Sequence, residues 1–330
     1  MRKEMLRLFF GLLGSAWVAG CSESIATNND LSMTGGDAAP VDMAVDQFPA
    51  SLTLAATTTQ ASCLAVDATA VYFIDDSVPS LIRVPLDGSA QTTLAQGGDL
   101  RGCVRVDLQN AYFSSSGAIV RVALATGAVT VLATSQHLLT PLYLQGGALY
   151  FITDVYGDID AYNGKNAIVR LAIDGGSIDV VDNSVVGQPG GLAVDASNFY
   201  FSDRNGMVAH ARNGMGSVTF GSSVLHANSF ALGENGNNHL AMVELAGIGI
   251  GDVALFSLDG SGRTVLSGKL ASSLFLDADA LYAGQSGSLV RYALDGTSTT
   301  PYAALAPRAI VADAGYVYFT DGQALRRITK

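Results

Sequence analysis

The hydrophobic residues of this chain alternate with polar ones in short runs, and the same order of runs returns along the sequence. Residues 191–203 read GLAVDASNFYFSD, residues 64–75 read LAVDATAVYFID and residues 310–321 read IVADAGYVYFTD. In each copy an apolar run, a polar turn and an aromatic run follow one another, and such alternation predicts β-strands. A unit that recurs in this way indicates a stack of equivalent structural repeats.

Seven copies of the repeat fit the sequence, and each contains four predicted strands. The copies begin near Ala61, Arg101, Pro141, Gly191, Ser229, Ser273 and Arg308, at spacings of 40, 40, 50, 38, 44 and 35 residues. After the aromatic strand comes an alternating strand, such as LIRVPLDG at 81–88, and then a last strand, such as QTTLA at 91–95. Four antiparallel strands in about 40 residues are typical of a β-propeller blade.

An Asp-Gly pair joins the third and fourth predicted strands in several copies, at Asp87-Gly88, Asp174-Gly175, Asp259-Gly260 and Asp295-Gly296. This pair between two alternating runs is a strong hairpin signal, because both central residues of a type I′ turn need positive φ. We therefore predict tight hairpins at these places.

The two ends of the chain predict how the ring of blades closes. The seventh copy stops at Lys330 after its third strand, and the segment 51–60 before the first copy contains an unassigned strand. Pairing that strand with the C-terminal blade removes an open sheet edge. We therefore expect an all-β protein, a seven-bladed β-propeller of four-stranded antiparallel blades. Six blades are the alternative, if the diverged fifth copy (229–272) merges with a neighbour.

The composition of the 330 residues narrows the class of protein. Hydrophobic residues make up 49% and charged residues 14%, and the 37 glycines suit a turn-rich β protein. The formal net charge of −11 argues against nucleic acid as a partner, since phosphate binding needs clustered Lys and Arg. No internal run of about 18 apolar residues predicts a transmembrane helix.

The first residues read as an export signal. A basic start precedes an apolar run, Leu8 to Ala19, which is too short to span a bilayer. The run ends in VAGC at 18–21, which resembles the lipobox of bacterial lipoprotein precursors. The resemblance implies that residues 1–20 are removed, that Cys21 is lipidated, and that the product is sorted to the outer membrane or cell surface. An ordinary secretory signal with a chance cysteine is the alternative.

The residues that follow the signal differ in composition from the rest. Up to residue 50 they are small, polar and acidic, with no period of a helix or strand, as is typical of a disordered tether. The predicted organisation is a signal peptide at 1–20, the lipidated Cys21 with its tether at 21–50, and a propeller at 51–330.

The repeated phrase LAVD…VYF.D…L.R..LDG resembles the YWTD and NHL families of β-propellers over nearly all of residues 51–330. In a YWTD blade the second strand carries Tyr-Trp-Thr-Asp, and here the corresponding residues are YFID at 72–75, YFSD at 200–203 and YFTD at 318–321. The resemblance implies the architecture and not a ligand, because propellers host unrelated functions.

Charged residues recur at fixed positions of the repeat. The first strand ends in Asp67, Asp107, Asp195, Asp277 and Asp313. The third strand carries Arg83, Arg121, Arg170, Arg291 and Arg326, and the second ends in Asp75, Asp203 and Asp321. A ring of carboxylates can hold a metal, but a short polar side chain there more often accepts hydrogen bonds from its own turn. The arginines suit bridges within or between blades, with a collar for an anionic ligand as the alternative.

Few other side chains suggest chemistry. His137 and His226 fall in loops between successive blades, which open onto one face, and no H-E-x-x-H, G-x-S-x-G or C-x-x-C pattern occurs. Cys63 and Cys103 occupy equivalent positions in the first two blades, and beside a lipidated Cys21 they are the remaining thiols. An exported protein favours a disulfide, whereas the distance between neighbouring blades favours two thiols, so both states stay open.

The third repeat carries an insertion between its second and third strands, and extra length in one repeat maps to a loop on one face. Its candidate binding residues are Asp154, Tyr156, Asp158, Asp160, Tyr162 and Asn163. The tyrosines offer contact area, and the carboxylates and the asparagine are hard ligands that suit Ca²⁺. Partner contact, Ca²⁺ binding and a merely solvated loop are the three interpretations.

These features favour a non-enzymatic binding or scaffold module, anchored by lipid at the cell envelope, with a protein, peptide or glycan as its partner and no cofactor. The alternative is an enzyme. Propeller enzymes of the gluconolactonase-like and streptogramin-lyase-like types hold a divalent cation in or above the central channel, and no set of residues in this sequence reproduces their ligands.

Overall fold

The chain forms seven antiparallel sheets of four strands each, which are the blades of a β-propeller. The computed structural model describes residues 51–55, 61, 63–75, 77–97, 100–115, 117–134, 138, 140–153, 165–187, 189–203, 206–220, 230–233, 237–247, 250–303 and 307–330. Within these ranges every regular element is a strand, and no helix suited to crossing a membrane is found. The predicted fold class is confirmed. The fifth copy forms a blade of its own, so the six-bladed alternative is wrong.

The strands of each blade follow the sequence order. Strand β1 (Leu52–Ala55) precedes the first blade. Blade 1 contains β2 (Ala65–Val66), β3 (Ala70–Asp75), β4 (Ser80–Pro85) and β5 (Thr92–Gln96). Blade 2 contains β6 (Leu100–Val106), β7 (Asn110–Ser115), β8 (Ala118–Ala123) and β9 (Val129–Ala133). Blade 3 contains β10 (Tyr143–Gln145), β11 (Ala148–Thr153), β12 (Lys165–Ala172) and β13 (Ile178–Val186).

The remaining blades repeat the same arrangement. Blade 4 contains β14 (Gly191–Val194), β15 (Asn198–Asp203), β16 (Gly206–Ala211) and β17 (Ser217–Phe220). Blade 5 contains β18 (Phe230–Leu232), β19 (His239–Gly247), β20 (Ile250–Ser257) and β21 (Arg263–Ser267). Blade 6 contains β22 (Ala271–Leu276), β23 (Ala280–Gln285), β24 (Ser288–Ala293) and β25 (Ser298–Tyr302). Blade 7 contains β26 (Ala309–Ala312), β27 (Tyr316–Thr320) and β28 (Leu325–Thr329).

The second strand of each blade is buried on both faces. In blade 1, Tyr72 packs in the core shared with blade 2, and Phe73 packs in the core shared with blade 7. Successive side chains of a strand point to opposite faces, so a Tyr-Phe pair supplies one ring to each neighbouring blade. Blade 5 has Ala241 and Met242 at these places, and its core with blade 4 is filled by other aromatic residues, including Phe256. Seven such cores close around the ring, one for each pair of neighbouring blades.

Strand β1 completes blade 7, as the ends of the sequence predicted. It pairs antiparallel with β28, with Leu52 opposite Arg327 and Thr53 opposite Arg326. Ala55 joins the core between blades 7 and 1. The residues at the two ends of the propeller therefore share one sheet, in which β1 covers the outer edge of β28.

The Asp-Gly connections are hairpins, but the predicted type I′ turn is wrong. The N–H of Gly88 donates to the carbonyl of Pro85, three residues earlier, at 3.2 Å, and the equivalent bonds form at Gly175, Gly260 and Gly296. Asp is therefore the third residue of the turn and Gly the fourth. Gly88 has φ of +78°, a left-handed conformation that glycine adopts without steric cost. Asp87 accepts the N–H of Ser89 at 2.9 Å, which stabilises this longer connection.

Candidate functional site

The first strands of all seven blades surround a cavity of about 580 Å³ on the propeller axis, which we call the central channel. The second strand of each blade runs antiparallel to the first and ends where the first begins. The connections between blades and the connections from second to third strand therefore emerge at the same end, which we call the loop face. A cavity of this volume lies in the range of small-ligand sites in proteins.

The wall of the central channel is mostly apolar or small, and its charged side chains among the described residues are two arginines. Arg105 lies on β6, and Arg308 immediately precedes β26. No described residue of the wall is Asp, Glu or His. The described part of the chain also contains no group of three or more His, Cys, Asp and Glu able to hold a metal ion. The charged side chains among the described lining residues are thus both basic, in a chain with 29 acidic and 18 basic residues.

Arg105 departs from the repeat at its position. It is opposite Tyr112 in the register of β6 and β7. The residues at the same position of the other blades are uncharged: Ala65, Tyr143, Ala193, Ala231, Phe275 and Val311. The guanidinium carbon of Arg105 lies 5.8 Å from the ring centroid of Tyr143 in the next blade, which is within cation–π range. This aromatic neighbour holds the arginine side chain at the channel wall.

Arg308 lies at the start of its blade, on the loop face of the channel. Its backbone N–H donates to the carbonyl of Thr320 at 2.8 Å. Its side chain passes over Gly322, where a Cβ would lie 3.2 Å from Nε and 3.3 Å from Cζ. Gly322 also has φ of +83°, so a larger residue there would be strained as well as crowded. Glycine at this position leaves room for the arginine.

The recurring arginines of the third strands have structural contacts instead. Arg121 of blade 2 donates to the carbonyl of Ile173 in blade 3 at 3.2 Å, and Arg170 lies 3.8 Å from Asp179 of its own blade. The assignment of Arg326 to this set is wrong by one residue, because Arg327 is opposite Tyr318 in the register and donates to the carbonyl of Leu86 at 2.7 Å. Arg326 instead forms an ion pair with the buried Asp321.

The recurring aspartates at the ends of the first strands hold their own turns. Asp67 accepts the backbone N–H groups of Thr69 and Ala70 and the hydroxyl of Tyr72, at 2.7, 2.9 and 2.8 Å. Burial tends to raise the pKa of Asp67, but these hydrogen bonds outweigh it and the pKa is lowered. Burial, and then the bond to Asp67, raise the pKa of Tyr72. The same contacts recur at Asp107, Asp195 and Asp313.

One aspartate of this set differs from the others. Asp277 accepts the N–H of Ala278 at 2.8 Å and forms an ion pair with Lys330. The five carboxylates therefore serve turns and inter-strand contacts, and none of them lines the central channel.

Cys63 and Cys103 form a disulfide, with their Cα atoms 5.0 Å apart. The bond joins blades 1 and 2, and Cys63 lines the central channel. The equivalent positions of two neighbouring blades are thus close enough here for the covalent link that the sequence left open.

A Ser, His and Asp cluster between blades 3 and 4 escaped the sequence patterns. The Nδ1 atom of His210 lies 2.9 Å from the hydroxyl of Ser184 and 2.8 Å from Oδ2 of Asp182. A catalytic triad places the nucleophile and the carboxylate on different ring nitrogens, with the nucleophile hydrogen-bonded to Nε2. Both groups share Nδ1 here, so the cluster is a polar link between β13 and β16.

The predicted binding loop of blade 3, with Asp154, Tyr156, Asp158, Asp160, Tyr162 and Asn163, lies outside the described residues, as do His137, His226 and Cys21. The flanking strands β11 and β12 show where the loop starts and ends. Thr153 and Lys165 lie at the loop face of blade 3. The contacts of these side chains stay a prediction.

No family model matches the sequence, and no curated protein is significantly similar to it. Solved structures do resemble the fold. A virginiamycin B lyase from Staphylococcus aureus is 14% identical, with 85% of this chain and 98% of the lyase covered and a TM-score of 0.64. An oligogalacturonate lyase from Vibrio parahaemolyticus is 12% identical, with 86% and 94% covered and a TM-score of 0.63.

A third similar structure is a gluconolactonase from Xanthomonas campestris, which is 15% identical, with 85% of this chain and 89% of that protein covered and a TM-score of 0.51. At sequence identities this low, the similarity shows a shared propeller fold and nothing more. The reactions named for these three proteins belong to those proteins.

Proposed function

We propose that this chain is a lipid-anchored binding protein of the bacterial cell envelope, and that its partner inserts a chemical group into the central channel from the loop face. The partner is a protein, peptide or glycan that presents this group. The ring acts as a rigid frame, and the loops between its strands supply further contacts.

The observation that carries the proposal is the central channel. It is a concave site of about 580 Å³ lined mainly by apolar and small residues together with Tyr143, Arg105 and Arg308, and about half of its exposed surface is polar. Binding sites in proteins are commonly concave, of this volume, and combine apolar side chains with polar groups. A ring with seven interlocked cores also presents such a site with little rearrangement on binding, which favours affinity.

A mutation that narrows the channel tests the binding function. Full-length protein is immobilised, incubated with envelope extract, and the retained molecules are measured. Ala231 lies half-buried in the channel wall, and we expect Ala231→Trp to abolish retention of the partner by occupying the space. The control is Val129→Trp on the outer strand β9, where Val129 is 59% exposed.

Retention of the same species at the same level by both variants would contradict binding in the channel. A retained species that the purified protein converts into a product would contradict a non-enzymatic role and favour the cation-dependent enzyme instead.

The lipid anchor has its own test. Cys21→Ser is expected to move the protein from the membrane fraction to the soluble fraction, because the thiol that would carry the lipid is removed. Ser24→Ala serves as the neighbouring control and should stay with the membranes. A Cys21→Ser protein that still sediments with membranes after a high-salt wash would contradict the anchor.

A further inference from the structure

Arg326 of blade 7 departs from the repeat. It lies opposite Phe319 in the register of β27 and β28. The residues at the same position of the other blades are all apolar: Ile82, Val120, Val169, Val208, Ala254 and Val290. The architecture of a blade therefore does not require a charge at this place. Blade 7 is also the blade whose outer strand, β1, comes from the other end of the propeller.

The guanidinium group of Arg326 joins β1 to the rest of the ring. Its Nη1 atom donates to the hydroxyl of Thr53 on β1 at 3.1 Å, and its Nε atom forms the ion pair with Asp321. The guanidinium carbon lies 5.6 Å from the ring centroid of Tyr302 in blade 6, which is within cation–π range. These four residues, which we call the closure cluster, thus connect β1, blade 7 and blade 6.

Asp321 holds the arginine of the closure cluster in place. Its buried carboxylate accepts the N–H groups of Gln323 and Ala324 and the hydroxyl of Tyr302, each at 2.9 Å. Burial tends to raise the pKa of Asp321, but the ion pair with Arg326 and these hydrogen bonds outweigh it, and the pKa is lowered. A buried charge of this kind is costly once its partner is removed.

Few other side-chain contacts retain β1. The strand has four residues, of which Leu52 and Thr53 are exposed and Ala55 is buried. Its pairing with β28 shifts register between Thr53 and Ala55. Because β1 buries so little apolar surface, the polar contact with Arg326 is an important part of what keeps the strand in blade 7.

We propose that the closure cluster is an acid-sensitive device that keeps β1 in blade 7. Protonation of Asp321 removes the ion pair, releases Arg326 from the carboxyl group and weakens the contact with Thr53. Blade 7 then loses its fourth strand before the other blades open, so that ring closure is the acid-sensitive step of unfolding. The inference concerns the ring itself and does not depend on what the central channel binds.

The charges around Asp321 set the direction of the pH dependence. Arg326 faces it from β28 and Tyr302 from β25, and the side chain of Arg308, before β26, passes over the adjacent Gly322. Because the pKa of Asp321 is lowered in the folded protein, its full contribution to stability is present above the value of an unfolded aspartate, about 3.9. The contribution is lost as the pH falls from there through the lowered pKa.

Hydrogen–deuterium exchange of the full-length protein, corrected for the intrinsic effect of pH on exchange, tests the inference. At neutral pH, Arg326→Val should speed exchange in peptides containing residues 52–55 about tenfold or more, because the buried Asp321 loses its partner. Thr53→Val removes only the exposed hydrogen bond and should speed exchange in the same peptides about threefold. Peptides of β11 and β15, in blades 3 and 4, should exchange as in the parent.

The acid response is measured in the same peptides. In the parent, protection of residues 52–55 should fall as the pH is lowered below about 4. Asp321→Asn cannot titrate, so its protection should be lower at neutral pH and should not fall further in acid. The matched control is Asp313→Asn in the same blade, because Asp313 accepts the N–H groups of Gly315 and Tyr316 in its own turn. It should leave the acid response of residues 52–55 unchanged.

Four results would overturn the inference. Protection of residues 52–55 like that of the parent in Thr53→Val and Arg326→Val would show that the closure cluster does not retain β1. An acid response in Asp321→Asn equal to that of the parent would assign the response to another group. An equal increase in exchange in β11 and β15 would show global unfolding, and loss of the acid response in Asp313→Asn would assign it to blade 7 as a whole. If Arg326→Val does not fold, Thr53→Val and Asp321→Asn decide.

Discussion

Deletion of Leu52–Ala55 is expected to cause aggregation or to remove most of the free energy of unfolding, which for folded domains is about 5–15 kcal/mol. Blade 7 would keep three strands, and β28 would present an unpaired edge to solvent. The core between blades 7 and 1 would also lose Ala55. Thermal unfolding and size-exclusion chromatography of the full-length protein measure the effect.

The matched control deletes four residues of the predicted tether, Asp30–Met33, and should leave the melting temperature unchanged. Monomeric protein that melts like the parent after both deletions would show that β1 does not close the ring.

Replacing both Cys63 and Cys103 by alanine is expected to lower the free energy of unfolding by about 4 kcal/mol on the chain-entropy model. The reason is that the disulfide closes a sequence separation of 40 residues. Urea unfolding of the variant and the parent measures the difference, and the midpoint should fall while the slope rises, because the unfolded chain without the disulfide exposes more surface.

Mass spectrometry of the alkylated, unreduced parent provides the control for this comparison. It should show no alkylation at Cys63 or Cys103. Two alkylated thiols, or an unchanged unfolding midpoint in the variant, would contradict a stabilising disulfide.

The architecture was predictable from the sequence because the repeat encodes packing directly. Five of the seven blades carry a Tyr-Phe pair that marks a strand with two buried faces, and the order of runs around it identifies the other two blades. The aspartate turns were predictable for the same reason, since Asp67, Asp107, Asp195 and Asp313 serve a local geometry that four blades share. The surplus strand at the start and the missing strand at the end then fixed the closure.

The position of the recurring arginine in blade 7 and the type of the Asp-Gly turn depend on contacts that the sequence repeat does not reveal. Arg326 and Arg327 are adjacent, and only the register with Tyr318 shows which one belongs to the recurring set. The type of the Asp-Gly turn was predicted wrongly. In a two-residue hairpin the closing hydrogen bond would join the residues on either side of the Asp-Gly pair, whereas here Gly itself donates the closing hydrogen bond.

The sequence analysis did not single out the arginines of the central channel, because the side chains of the first strands do not all pack in the same surroundings. Ala65, Tyr143 and Phe275 occupy equivalent positions and differ widely in size. The signal in the sequence was that Arg105 is charged, whereas the other six copies of the repeat have an uncharged residue at this position. Such departures are informative only after the register has aligned the copies.

Hydrogen–deuterium exchange of the full-length protein, with and without the species retained from envelope extract, measures where the partner binds. Added protection is expected in peptides that contain Arg105 and in peptides that span 308–312, because these segments line the central channel. Unchanged exchange in these peptides, with protection confined to outer strands such as β9 and β13, would contradict the central channel as the binding site.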